Sequence, residues 1–115
     1  VASTAEAMIE DIGRKKDLYG KNTTLGCILT NAKLTKAQCT KLAGIAHNGY
    51  ARTISPVHTS NDGDSIFVMA HGEAEVDPDA LGVLAAEVMA RAIDRAVRQA
   101  KTAYGFLSAG DLEAK

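Results

Sequence analysis

The hydrophobic positions near the start of the chain repeat with the period of a helix. One helical face collects the apolar residues Ala5, Met8, Ile9 and Ile12. Ser3 and Glu6, at the start of this segment, have the spacing of a capping box, which satisfies free backbone N–H groups at a helix start. The pattern predicts a helix over residues 3–16.

The pattern changes at residue 24 to one typical of a β-strand. Residues 24–30 are short and rich in β-compatible side chains, with Leu25, Cys27 and Leu29 on one side and Ile28 on the other. Since both sides are apolar, the pattern predicts a strand that is covered on both faces.

A second helix is predicted to start at Thr35, where Gln38 completes another capping box. We expect its buried stripe to consist of Leu42, Ile45 and Ala46, and its end to fall near residues 48–49 or shortly after.

A strand and a long helix are predicted for the rest of the chain. The continuous apolar run at residues 65–70 indicates a buried central strand. Asp77 and Pro78 suit the N-cap and first position of a helix, whose apolar stripe continues to about Tyr104.

The order is then helix, strand, helix, strand, helix. A two-stranded sheet exposes both edges and is marginal alone, so we expect it to need strands from elsewhere.

Composition narrows the class of protein. Of 115 residues, 46% are hydrophobic and 23% charged, with a formal net charge of −1, which fits one soluble globular domain and argues against disorder. Without excess positive charge, no nucleic-acid partner is expected. The apolar run at residues 66–70 is far shorter than the roughly 20 residues of a membrane helix, so no membrane partner is expected either.

No signal peptide is visible, and the expected location is cytoplasmic. Cys27 and Cys39 are expected to be reduced, partly buried thiols.

The junction between the polar loop and the first strand carries a candidate nucleophile. A Thr hydroxyl needs a base, and a Thr that begins a chain can use its own α-amine, whose ordinary pKa is about 8. Such a residue must be released by breaking the bond before it, which here is the bond between Asn22 and Thr23. The alternative is an ordinary polar strand entry, with Thr23 and Thr24 chosen for β propensity.

Asp62 and Asp64 flank Gly63 at a turn that feeds the second strand. Two such carboxylates can act as acid and base, hold an ammonium group or bind a cation, and the alternative is a surface turn. If the two strands run side by side in the same sense, both strand starts fall at one edge of the sheet. Asp62, Asp64 and Thr23 would then meet.

Three histidines offer further candidates. His58 and His71 could join Asp62 and Asp64 in a mixed nitrogen and oxygen metal site, although the spacing matches no strong metal signature. His47 on the second helix is expected to be a partly exposed residue near the helix end.

An ordered series of segments resembles one known family. Taken together, the segments look like the C-terminal part of the L-aminopeptidase/D-esterase (DmpA-type) family, which includes β-peptidyl aminopeptidases and nylon-oligomer hydrolases. The resemblance runs over about residues 20–100, most of the chain. The matching segments are residues 22–26, 30–38, 46–47, 56–59, 62–67, 80–82 and 86–89.

The resemblance implies a self-processing N-terminal-nucleophile hydrolase with an α/β fold. That fold is a four-layer α/β/β/α sandwich of the DmpA/ornithine acetyltransferase type, of which this chain supplies the C-terminal strands and helices. By residue matching, autocleavage falls between Asn22 and Thr23, Thr23 is the nucleophile, and Asp62 and Asp64 orient its amine and hydroxyl. Residues 1–22 are then the tail of the upstream chain or a pro-segment with one helix, and residues 23–115 carry the nucleophile.

The resemblance also implies partners and substrates. It implies that no metal or organic cofactor is needed and that the substrates are short peptides or related amides. It also implies that the upstream chain of the same precursor is a partner and that cleaved protomers form a homo-oligomer. Two alternatives remain: a non-catalytic α/β interaction or ligand-binding domain or inactive fragment on the same scaffold, and a metal hydrolase that uses His58, Asp62 and Asp64.

Overall fold

The computed structural model describes residue 9 and residues 23–113. The predicted helix over residues 3–16 lies outside this range except for Ile9, and so does Asn22. The elements are β1 (Leu25–Ala32), α1 (Lys36–Thr53), β2 (Ser65–Ala74), α2 (Pro78–Gln99) and α3 (Ala109–Glu113).

The two strands form a parallel pair joined through α1. Leu25 is opposite Ser65, and the register holds as far as Thr30 opposite Ala70, with an irregularity before the last pair. The prediction that both strand starts lie at the same edge of the sheet is therefore confirmed. This edge carries the candidate chemistry.

Local signals set the helix starts as predicted. The Thr35 hydroxyl accepts a hydrogen bond from the Gln38 backbone N–H at 3.1 Å, and the Gln38 side chain accepts one from the Thr35 N–H at 2.8 Å. At the start of α2, Asp77 is the N-cap and Pro78 the first helical residue.

The helix ends differ from the predictions. α1 continues to Thr53, because Gly49 is not a terminating glycine but packs against α2. A Cβ atom at Gly49 would lie 2.6 Å from the Ala86 carbonyl oxygen. α2 ends at Gln99 rather than near Tyr104, since the backbone is already extended at Ala100, with φ −64° and ψ 145°.

The hydrophobic core lies on one face of the sheet, under α1 and α2. Leu42, Ala46 and Ala85 form its buried centre. Ile28, Leu34, Ile66, Val68 and Leu81 pack against that centre. Side chains alternate across a strand, so only every second residue of β1 and β2 can reach these helices.

The prediction that both sheet faces are covered is wrong for the described residues. Leu29 is 73% and Phe67 62% exposed, and Leu25, Cys27 and Met69 are exposed beside them. β2 is likewise not a buried central strand, since it belongs to a two-stranded sheet with one open face. The apolar runs have the composition of strands buried on both sides, but the described helices cover only one side.

Two further findings concern the remaining composition-based predictions. Cys27 is exposed rather than partly buried, Cys39 is half-buried, and both are free thiols in the described part of the chain. No helix within residues 23–113 has the length and apolar character needed to cross a membrane.

Candidate active site

The two strand starts are joined by hydrogen bonds between residues forty positions apart. Asp64 Oδ1 accepts a hydrogen bond of 2.9 Å from the backbone N–H of Thr24. The Ser65 N–H donates to the Thr24 carbonyl oxygen, also at 2.9 Å. Thr24, the residue after Thr23, is thus held at both its backbone N–H and its carbonyl oxygen by the segment that enters β2.

Gly63 lies directly beside the hydroxyl of Thr23. A Cβ atom on Gly63 would be only 2.9 Å from Thr23 Oγ1. Thr23 itself is exposed, so its hydroxyl is open to solvent on its other sides. The glycine between the two aspartates is therefore more than a turn residue, because it allows the hydroxyl to approach the backbone between them.

Asp62 is fixed to its own loop rather than to the first strand. Its Oδ2 accepts hydrogen bonds from the Thr59 backbone N–H at 3.0 Å and from the Thr59 hydroxyl at 2.8 Å. The Asp62 N–H in turn donates to the Thr59 carbonyl at 3.0 Å. These bonds shape the turn that carries Gly63 and Asp64 to Thr23.

The Asp64 carboxylate is largely buried. Its side chain is only 7% exposed, and Oδ2 faces His58. His58 Nδ1 lies 3.8 Å from Oδ2, and the His58 backbone N–H donates to the same oxygen at 3.4 Å. The carboxylate therefore contacts Thr24 through one oxygen and His58 through the other.

Tyr50 is a site residue that the sequence patterns did not reveal. It is fully buried, with 0% of its surface exposed, and its hydroxyl donates to the Ser65 carbonyl at 3.1 Å and approaches the Thr24 carbonyl at 3.4 Å. A single side chain from α1 thus contacts both strand starts. The only sequence signal is its position three residues after His47, which places both on one side of the helix.

Three rings pack together behind Asp64. His47 meets Tyr50 edge-on at 5.1 Å and His58 edge-on at 5.0 Å between ring centres, and Tyr50 stacks on His58 at 6.3 Å. The expectation that His47 is partly exposed is confirmed, but its expected place near the helix end is wrong, because α1 continues to Thr53. Its Nδ1 is buried and has no hydrogen-bond partner among the described residues.

Burial keeps two of these rings uncharged. It lowers the pKa of His47, and the neighbouring His58 lowers it further, while Asp64 acts in the opposite direction. Burial also raises the pKa of Tyr50, and the nearby Asp64 carboxylate adds to the rise. Tyr50 therefore remains a hydrogen-bond donor well into the alkaline range.

The metal-site alternative is not supported by the geometry. Within the part of the chain that the structure describes, no three His, Cys, Asp or Glu side chains are grouped so as to hold a metal ion. His71 is six residues along β2 from its first residue, roughly 20 Å at the rise of a strand. It lies there beside Leu29 and Asn31, far from Asp62 and Asp64.

Comparison with known proteins identifies the family. Residues 2–109 match the model of peptidase family S58. The chain belongs to peptidase family S58. The resemblance to the DmpA-type and nylon-hydrolase family is thereby confirmed.

Several curated relatives in the same family carry enzyme names. An uncharacterized aminopeptidase of Mycobacterium tuberculosis is 37% identical over 106 residues, which covers 79% of this chain and 31% of the relative. A 6-aminohexanoate-oligomer endohydrolase of Kocuria sp. is 31% identical over 90 residues, covering 67% of this chain and 25% of that enzyme. A 6-aminohexanoate-oligomer endohydrolase of Paenarthrobacter ureafaciens is 32% identical over 81 residues, covering 59% and 23%. The chain thus spans less than a third of the length of these S58 relatives.

Proposed function

We propose that this S58 chain carries the nucleophile of a self-processing amide hydrolase, with Thr23 as the nucleophile. The proposal is supported by the names of its relatives, an aminopeptidase and an oligomer endohydrolase. It is carried by one observation: the Thr23 hydroxyl lies against Gly63, and Asp64 binds the N–H of the next peptide.

Self-processing would free the base that the nucleophile needs. In the uncut chain the Thr23 nitrogen is an amide and cannot accept a proton. Attack of the Thr23 hydroxyl on the Asn22 carbonyl would break the C–N bond, form an ester and release the amine. Water would then hydrolyse that ester, leaving a carboxylate on Asn22 and a free amine and hydroxyl on Thr23.

Turnover would use the same hydroxyl and the new amine. The amine would accept the hydroxyl proton as Thr23 attacks the substrate carbonyl, and would return it to the leaving amine when the acyl-enzyme forms. Water would release the acyl group. We propose short peptides or related amides with a free amino terminus as substrates.

The two aspartates would have different tasks in this reaction. Asp64 would hold the Thr23–Thr24 peptide and place negative charge near the Thr23 amine, which favours the ammonium form. Asp62 would stabilise the loop through Thr59 and keep Gly63 against the hydroxyl.

The upstream part of the precursor would supply the rest of the enzyme. The open sheet face of Leu25, Leu29, Phe67 and Met69 has the apolar character of a packed interior. A second sheet from the upstream chain would cover it and give the four-layer α/β/β/α sandwich. The substrate pocket and the groups that stabilise the oxyanion would come from that part, and cleaved protomers would assemble further into a homo-oligomer.

The deciding experiment is to determine the N-termini of the full-length protein after expression. Intact mass and N-terminal sequencing are expected to find a chain that begins at Thr23. Thr23→Ala should stay uncut and be inactive on a small amide, whereas Thr23→Ser should retain some of both reactions. Thr40→Ala, at an exposed threonine of α1, serves as the matched control and should behave as wild type.

Two outcomes would overturn the proposal. One is a Thr23→Ala protein that still cleaves or still hydrolyses the amide. The other is a wild-type protein that remains one chain without activity, which would favour the non-catalytic binding domain on the same scaffold.

A further inference from the structure

His58 has a backbone conformation that side-chain-bearing residues rarely adopt. Its φ is +62°, in the left-handed region, which is sterically unfavourable for a residue that carries a Cβ atom. Such a conformation persists only where surrounding contacts stabilise it, and it is found preferentially at functional sites. The contacts that hold His58 in this conformation point to its role.

The left-handed turn directs two groups of His58 toward one oxygen atom. The backbone N–H donates to Asp64 Oδ2 at 3.4 Å, and the ring nitrogen Nδ1 lies 3.8 Å from the same atom. The second distance is too long for a direct hydrogen bond, so the ring acts on the carboxylate through charge and close packing.

Two rings from α1 fix the orientation of the His58 ring. His47 contacts it edge-on at 5.0 Å, and Tyr50 stacks on it with the planes 25° apart. Since Tyr50 also binds the carbonyls at both strand starts, the position of the His58 ring is coupled to the position of Thr24.

We propose that His58 is a positioning residue for Asp64, so that its left-handed backbone and its packed ring set how firmly Asp64 holds the peptide after Thr23. This inference rests on the proposed role of Thr23. While Oδ2 faces the backbone N–H and ring of His58, Oδ1 accepts the hydrogen bond from the Thr24 N–H. Without the ring, the N–H of His58 remains, but the packing that holds it against Asp64 is lost, and Thr23 loses its alignment with Gly63.

The test uses variants that separate the ring from the backbone conformation. His58→Gly keeps the N–H and tolerates positive φ, and His58→Asn also tolerates it while keeping a polar side chain in place of the ring. His71→Asn, at an exposed residue far along β2, is the matched control. The autocleavage rate and the kcat and KM of the mature enzyme are measured in the full-length protein.

We expect His58→Gly to lower both rates about tenfold, a change of 1.4 kcal/mol in barrier, at nearly unchanged KM. His58→Asn, which also lacks the ring, should show a similar loss, whereas His71→Asn should keep the wild-type rates. If His58→Gly does not fold, as judged by thermal melting, His58→Asn alone gives the same test.

The failure of this inference is distinguishable from failure of the proposed function. Wild-type rates in the folded His58 variants, together with an inactive Thr23→Ala protein, would reject the role of His58 and leave Thr23 as nucleophile. Cleavage in Thr23→Ala would instead reject the proposed function itself.

Discussion

Gly63 and Thr23 are in such close contact that a methyl group on Gly63 would lie 2.9 Å from the Thr23 hydroxyl oxygen. Real Cβ atoms essentially never come so near to another heavy atom, so either the Thr23 hydroxyl or the turn would have to shift. This contact joins the turn between the two aspartates to the strand start that carries the candidate nucleophile.

Gly63→Ala is therefore expected to displace the Thr23 hydroxyl and slow both autocleavage and amide hydrolysis, by about tenfold or more. Cleavage is followed by gel electrophoresis of the full-length protein over time. Gly44→Ala is the matched control, because a Cβ at Gly44 on α1 meets no atom within 4 Å in the described part of the chain. It should leave cleavage unchanged and stabilise the helix by about 0.5–1 kcal/mol. Equal cleavage rates in both variants would contradict the proposed placement.

Asp64→Asn is expected to reduce the rates more than Asp62→Asn does. Asp64 contacts the Thr24 N–H directly, and loss of its charge weakens that hydrogen bond, whereas Asp62 contacts Thr59. We expect losses of about 10²-fold for Asp64→Asn and about tenfold for Asp62→Asn, measured as single-turnover cleavage. Asp94→Asn, at an exposed ion pair on α2, is the control and should have little effect. The reverse order of effects would show that Asp62 is the carboxylate that governs Thr23.

Tyr50→Phe is expected to lower the free energy of unfolding by about 1–2 kcal/mol. The substitution keeps the buried ring but removes the hydroxyl that contacts the carbonyls of Thr24 and Ser65. Urea denaturation of the full-length protein measures the change. Tyr104→Phe is the control, since Tyr104 is 99% exposed and should show no change. Equal stabilities of the two variants would mean that the Tyr50 hydroxyl contributes nothing to joining the strand starts.

His47 is expected to make the protein less stable at acidic pH. Its pKa in the folded protein is lowered from the ordinary value of 6.5, chiefly by burial, so the unfolded chain binds a proton more readily. The stability associated with neutral His47 is full above pH 6.5 and is lost progressively as pH falls below that value toward the lowered pKa.

The measurement is the melting temperature at about pH 7.5 and about pH 5.5. His47→Gln should show a smaller drop between the two than wild type, while His71→Gln, at an exposed histidine, should show the wild-type drop. An equal drop in all three proteins would exclude His47 as a source of acid sensitivity.

Local spacing was sufficient to predict the helix starts. Thr35 with Gln38, and Asp77 before Pro78, satisfy free backbone N–H groups within three residues of the chain, so their effect does not depend on the rest of the fold. The helix ends were harder to predict, because Gly49 resembles a terminating residue in sequence but serves as a packing contact with α2.

By itself, the sequence determined the two strands and the two long helices, the parallel order that β–α–β connections favour, and the family resemblance, since each depends on residue types at short or ordered spacing. It did not reveal α3. Only the tertiary structure decided that one sheet face is open, that Asp64 binds the Thr24 N–H, and that His47, Tyr50 and His58 converge behind it. Those features depend on contacts between residues far apart in the chain, and such contacts exist only once α1 has placed the two strands side by side.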